Sequence, residues 1–141
     1  MQFRGKKVLL CSLAAILALL LLAVIVTGWH FPRYFSKKEA VTITPNNSAI
    51  TMMSCNLRCL TPLDLGKKSW FYRADLLLSD IADQAPGIIG FQEATRWQYD
   101  YMVDVLTGYD SVIDYRDNSL IAEGCPIFYN QALYTLKDNK L

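Results

Sequence analysis

The sequence predicts an α/β layered domain behind one N-terminal membrane-spanning helix. Three observations carry that reading. Residues 8–26 hold no charge and a single polar side chain, Ser12. Two short apolar runs, residues 49–58 and 87–93, suit buried strands. Segments with helical spacing follow each run, and strands alternating with helices imply a sheet covered by helices.

The apolar run has 19 residues, and at about 1.5 Å rise per residue it spans roughly 28 Å, close to the hydrocarbon thickness of a bilayer. A helix there satisfies its own backbone hydrogen bonds, as lipid requires. Residues 1–7 form a basic lead-in with Arg4, Lys6 and Lys7, and residues 8–28 the transmembrane or signal-anchor helix. A cleaved signal peptide remains the alternative, with Val26-Thr27-Gly28 as a poor cleavage site, although its apolar core is usually shorter, about 7–15 residues. Trp29, Phe31, Tyr34 and Phe35 fit an interfacial aromatic belt. Arg33, Lys37 and Lys38 nearly balance the preceding basic residues. The usual dominance of the first segment then favours a single-pass protein with its domain outside the cytoplasm, or a secreted one after cleavage.

Residues 29–48 read as a linker, broken by Pro32, Pro45 and the sequon Asn46-Asn47-Ser48. From Ala40 onward twelve acidic residues face eight basic ones. That balance, without a basic stripe, gives no support to a nucleic-acid partner. Cys11 lies in the span, and Cys55, Cys59 and Cys125 make no even disulfide framework. Cys55 and Cys59 are also spaced wrongly for a zinc ribbon.

Residues 49–58 give the first strand. Residues 61–68, with Pro62 and Gly66, form a loop. Ser69 is placed to cap a helix from Trp70 to Gln84, with Trp70, Leu77, Leu78 and Ile81 on its apolar side, ended by Pro86-Gly87. Residues 87–93 give the second strand. Thr95 is placed to cap a second helix over residues 96–106, with Trp97, Tyr101, Val105 and Leu106 as its apolar positions and Gly108 as its stop. A strand over 109–115 and a hairpin of 126–129 with 132–136 complete the order, which leaves Leu133 to Leu136 as an open edge.

Asn56 and Glu93 each sit at the C-terminal end of an expected core strand, where open α/β sheets place ligand groups. A carboxylate beside an amide from the adjacent strand suits a hard, oxygen-loving cation. Polar residues at strand ends also commonly cap loops or helices, and position alone favours that plainer role.

The segments Ser54-Cys55-Asn56-Leu57-Arg58, Ile88-Ile89-Gly90-Phe91-Gln92-Glu93 and Glu123-Gly124-Cys125-Pro126-Ile127-Phe128-Tyr129 occur in that order. Together they resemble the endonuclease/exonuclease/phosphatase superfamily of metal-dependent phosphoesterases. Asp64, Gly66, Trp70, Arg73 and Gln98 resemble a bacterial branch of it. The resemblance covers residues 50–136 and implies the first half of a four-layer α/β sandwich, here incomplete over residues 49–141. It implies Glu93 as a direct ligand of Mg²⁺ (or Mn²⁺) and Asn56 as a contact to that metal site and its phosphate. Glu123 would be the acid that orients a catalytic histidine. The implied reaction is hydrolysis of a phosphate ester, with the bilayer as a further partner through residues 8–28.

The chain departs from that pattern. Its one histidine, His30, sits at the expected membrane boundary. The histidine base, its aspartate and the closing Asn-x-Asp pair belong to the second half of such domains. The expectation is therefore a truncated phosphoesterase, inactive by itself. The alternative is a membrane-tethered, non-catalytic binding module or pseudo-enzyme remnant.

Overall fold

The computed structural model describes residues 2–35, 38–44, 49–61, 63–64, 66–119 and 121–140. The sequon Asn46-Asn47-Ser48, Pro45 and Pro62 lie outside them, as do the side chains of Trp29, His30, Phe31, Tyr34 and Phe35. The chain forms two compact units, Met1–Lys37 and Lys38–Leu141.

The first unit is one helix, α1 (Gln2–Phe35). Its window Lys6–Ala23 is long and apolar enough to cross a membrane, and none of that window is buried within the molecule. Ser12 returns its hydroxyl to the carbonyl of Val8 at 2.9 Å, so the one polar side chain in the apolar run is satisfied inside the helix. The helix continues past residue 28, where the sequence reading ended it, and through Pro32. A helix carries an internal proline at the loss of one i→i−4 bond.

The second unit begins earlier than the linker reading placed it. Val41 N–H donates to the carbonyl of Val105 at 2.8 Å, Ile43 is buried in the core, and Lys38 pairs with Asp104 at 2.7 Å. The order of elements then runs β1 (Met52–Asn56), α2 (Trp70–Gln84), β2 (Ile88–Gln92), β3 (Ala94–Thr95), α3 (Arg96–Val105), β4 (Tyr109–Val112), β5 (Glu123–Gly124) and β6 (Ile127–Asn130). A single 3₁₀ turn, Gly66–Lys68, precedes α2.

The main sheet has the order β1-β2-β6-β4. β1 and β2 are parallel, and β6 runs antiparallel to both β2 and β4. β3 and β5 form a separate antiparallel pair. This is a mixed α/β architecture, as the strand and helix patterns imply. One face of the sheet is covered. Ile89, Phe91 and Phe128 are buried with Ile81, Met102, Val105 and Leu106, and Phe91 meets Phe128 edge to face at 5.5 Å. Residues alternate across a strand, so Met52 and Ile127 point the other way and are exposed.

α2 buries Trp70, Ala74, Leu78 and Ile81, a stripe at helical spacing. Ser69 stands at its N-cap in extended backbone but makes no side-chain cap bond. Its carbonyl instead accepts from the amides of Tyr72 and Arg73. The stop is Ala85 in left-handed backbone, with Pro86 after it.

Three expectations need correction. α3 buries Gln98, Met102 and Val105, while Trp97 is 58% exposed. Of the other expected positions, Val105 and Leu106 are buried and Tyr101 packs against the core; in place of Trp97 the helix turns Gln98 inward, where it bonds the loop after β1. The strand expected over 109–115 ends at Val112. The amides of Tyr115 and Ser119 are taken by the carboxylates of Asp114 and Asp117. Residues 132–136 form no strand and no edge. The carbonyl of Asn130 accepts from the amides of Leu133 and Tyr134, and its side chain accepts from Ala132 N–H. That turn uses the donors a hairpin ladder would need. β1 and β4 are the edges.

Phe91→Ala removes the ring that joins β2 to β6 and should lower unfolding free energy by about 3–5 kcal/mol. Urea unfolding of the 141-residue chain in detergent micelles, followed by circular dichroism, measures this. A loss below about 1 kcal/mol would contradict the packing described.

Candidate functional site

The site starts from two parallel strands that stop at the same level. β1 and β2 pair in the register Asn56↔Gln92. One further bond, Leu57 N–H to Gln92 carbonyl at 2.9 Å, closes the ladder. The next residue on each side then leaves the sheet through left-handed backbone: Arg58 at φ 51 and Glu93 at φ 56. For residues other than glycine that conformation costs roughly 1–2 kcal/mol. Here it brings two side chains together, as Asn56 Nδ2 donates to Glu93 Oε1 at 2.8 Å.

The loop after β1 completes their setting. Arg58 N–H donates to Asn56 Oδ1 at 2.7 Å, and Cys59 N–H donates to Glu93 Oε2 at 3.3 Å. Both oxygens of Glu93 therefore accept a bond. The Asn56 amide first, and the Cys59 amide second, hold the Glu93 carboxyl below the usual carboxylate range. Arg58 turns outward onto Asp64 in a bidentate pair of 2.7 and 2.8 Å. That guanidinium depresses the Asp64 carboxyl in the same sense.

Glu123 reaches the neighbourhood by another route. In the β3–β5 pair it lies opposite Thr95, two residues after Glu93. Gly124 permits the approach, since a Cβ there would stand 2.6 Å from the Asp114 carbonyl oxygen. Burial, and then a hydrogen bond to the Glu123 carboxylate, push the Cys59 thiol up. The structure joins Asn56 directly to Glu93, and places Glu123 one residue, Cys59, away from them.

Two side chains hold the loop from behind. Gln98 is fully buried. Its Nε2 donates to the carbonyls of Leu57 at 3.4 Å and Arg58 at 3.0 Å. Its Oε1 accepts from Leu60 N–H at 3.1 Å and from Thr95 N–H and Oγ1. Arg73 Nη1 and Nη2 donate to the same two carbonyls, at 2.6 and 3.3 Å. Sequence reasoning noted Gln98 and Arg73 without a role, and gave none to Arg58 or to the Cys59 amide. A signal existed for Gln98, which lies at helical spacing from Met102 and Val105 on the buried side of α3.

Chemically, the cluster presents one ionised carboxylate and one amide oxygen. These are hard donors suited to a cation such as Mg²⁺. Among the described residues, no group of three His, Cys, Asp or Glu side chains is arranged to hold a metal.

Comparison with solved structures finds part of a known fold in this chain. The chain is similar to an endonuclease/exonuclease/phosphatase from Bacteroides vulgatus (TM-score 0.54, 28% identity), covering 59% of this chain and 32% of that one. It is equally similar to a mannosyl-6-phosphatase from Bacteroides thetaiotaomicron (TM-score 0.54, 28% identity, 60% and 32% covered). An endonuclease/exonuclease/phosphatase family protein of the same organism matches at 0.54 and 27% identity, over 64% and 32%. The chain thus has part of that phosphoesterase-like fold and spans about a third of the length of the structures it matches. No protein-family model matches it, and no curated protein does.

Depressed carboxylates set a pH dependence. The Asp64 contribution to stability is present above the ordinary carboxylate range and is lost as pH falls through its lower folded value. The melting temperature of the wild-type chain should therefore fall on acidification below about pH 4. The Asp64→Asn chain should melt lower at neutral pH, with a flatter acid limb. Parallel limbs for the two proteins, in melts between pH 3 and 7, would exclude this linkage.

Proposed function

We propose that residues 38–141 provide the metal-ligand side of a phosphoesterase centre, in which Glu93 binds Mg²⁺ or Mn²⁺ and the substrate is a phosphate ester. The observation that carries this is the 2.8 Å contact of Asn56 with Glu93 at the ends of adjacent parallel strands. α1 is its single-pass membrane anchor.

The residues fit the ion. Each Glu93 oxygen accepts one hydrogen bond, and a carboxylate oxygen has a second lone pair for a cation. The depressed pKa keeps the group ionised and ready to bind. Mg²⁺ commonly takes only one or two carboxylates and fills its shell with water and substrate phosphate, so a sparse donor set is compatible with it. When bound, the ion neutralises charge that develops on the phosphoryl oxygens and the leaving group.

The chain's own residues have distinct tasks. Glu93 holds the ion. Asn56 fixes one Glu93 oxygen and has a second N–H for a phosphate oxygen. Glu123 is the acid next in line, set to orient a histidine. Residues 38–141 contain no histidine, and His30 is the one in the sequence. General acid–base catalysis is worth about 10²–10⁴ in rate, so these residues alone should turn over slowly or not at all. The same observation favours, as a second reading, a module that binds phosphate esters without hydrolysing them. The first substrates to test are sugar phosphate monoesters, because one similar structure is a mannosyl-6-phosphatase. The acidic balance after Ala40 argues against nucleic acid.

Mn²⁺ titration by electron paramagnetic resonance on the chain in micelles tests the centre. The wild-type chain should bind one ion, and Glu93→Gln should weaken binding at least tenfold, the scale typical of a disturbed metal site. Equal affinity in the two would sink the assignment. Binding without release of phosphate from mannose 6-phosphate would select the non-catalytic reading.

A further inference from the structure

The loop between β1 and α2 contains two consecutive peptide groups with a shared pattern. A peptide group is planar and trans, so its C=O and N–H point in opposite directions and cannot be aimed independently. In the first group, the carbonyl of Leu57 is held by Arg73 Nη1 at 2.6 Å and Gln98 Nε2 at 3.4 Å. The N–H of the same group, on Arg58, donates to Asn56 Oδ1 at 2.7 Å. In the second, the carbonyl of Arg58 is held by Gln98 Nε2 at 3.0 Å and Arg73 Nη2 at 3.3 Å. Its N–H, on Cys59, donates to Glu93 Oε2 at 3.3 Å.

We infer that Gln98 and Arg73 are positioning residues for the metal centre: by gripping the carbonyl ends of two peptide groups they aim the amide ends at Asn56 and Glu93. Neither side chain touches the carboxylate. Their effect passes through rigid backbone planes, and one side chain from each of two helices, α2 and α3, acts on the same pair of carbonyls. Without the grip, the left-handed Arg58 would be free to relax toward ordinary backbone, and rotation of either plane would withdraw its N–H. Gln98 is suited to this because it is buried and its amide is used at both ends. Oε1 is tied to Thr95 and Leu60, which sets the direction of Nε2. The clamp rests on the proposed metal role of Glu93 only for its functional meaning; the positioning itself exists without any ion.

The test separates the two. Gln98→Met keeps the side-chain volume and removes the hydrogen bonds; Arg73→Met does the same from the other helix. Amide hydrogen exchange is measured on the metal-free 141-residue chain in micelles, alongside Mn²⁺ titration. The clamp predicts that Arg58 and Cys59 amides exchange at least tenfold faster in either variant, while the Ala85 amide, bonded to Ile81 at a remote helix end, keeps its rate. It also predicts Mn²⁺ affinity lower by about 10–100-fold, as for other groups that orient metal ligands. A merely structural role would instead accelerate all three amides together through global unfolding. Unchanged Arg58 and Cys59 exchange, or uniform acceleration, overturns the inference. If Gln98→Met does not fold, Arg73→Met decides by the same criteria. If the wild-type chain binds no Mn²⁺, the metal reading fails while selective exchange still upholds the clamp.

Discussion

The parallel pairing of β1 with β2 is the constraint from which the site follows. Parallel strands in register deliver their C-terminal ends to one edge. Two residues that are 37 positions apart thereby meet through side chains at 2.8 Å. Hydrophobic burial sets the register, because Ile89 and Phe91 must face the helices, and a one-residue slip would turn both outward. Core packing on one face of the sheet therefore fixes the polar geometry at its end.

Around that pair the structure trades regular backbone for aim. Beyond β1 and β2 the chain turns through left-handed residues that are not glycine, Arg58 and Glu93, and the orphaned amides there find side chains rather than strands. Carbonyl groups in the same loop are covered by Gln98 and Arg73. Buried backbone polar groups need such partners. The carbonyls of Leu57 and Arg58 are thus satisfied as those of a ladder strand are, though the loop forms no ladder. Asp64 takes the Arg58 guanidinium in hydrogen bonds, so the donors that touch the Glu93 carboxylate are neutral and Arg58 acts on it only as a nearby charge.

Much of this was legible in the sequence where local chemistry is strong. The stop of α2 follows from Pro86, its start falls at the expected Ser69 although that side chain makes no cap bond, and the two parallel strands lie inside the expected apolar runs. Asn56 and Glu93 could be marked because strand ends in α/β sheets are predictable places. Other features depend on partners distant in sequence. Ile43 enters the core from Val41-Thr42-Ile43-Thr44, an alternation only four residues long inside a stretch otherwise read as linker. Residues 132–136 have strand-like composition, yet the turn at Asn130 claims their amides. The inward face of α3 follows a glutamine, and hydropathy assigns that residue to the outside. Glu123 is brought near by a two-residue strand too short to announce itself.

The left-handed backbone of Glu93 has a consequence for how this chain can change. Such a conformation in a residue with a Cβ carries strain of order 1–3 kcal/mol, which glycine would relieve at once. That relief would come with the loss of the carboxylate, leaving the Asn56 and Cys59 donors without their acceptor and adding glycine's own entropy to the unfolded chain. Position 93 therefore sets backbone ease against two hydrogen bonds that only its side chain accepts.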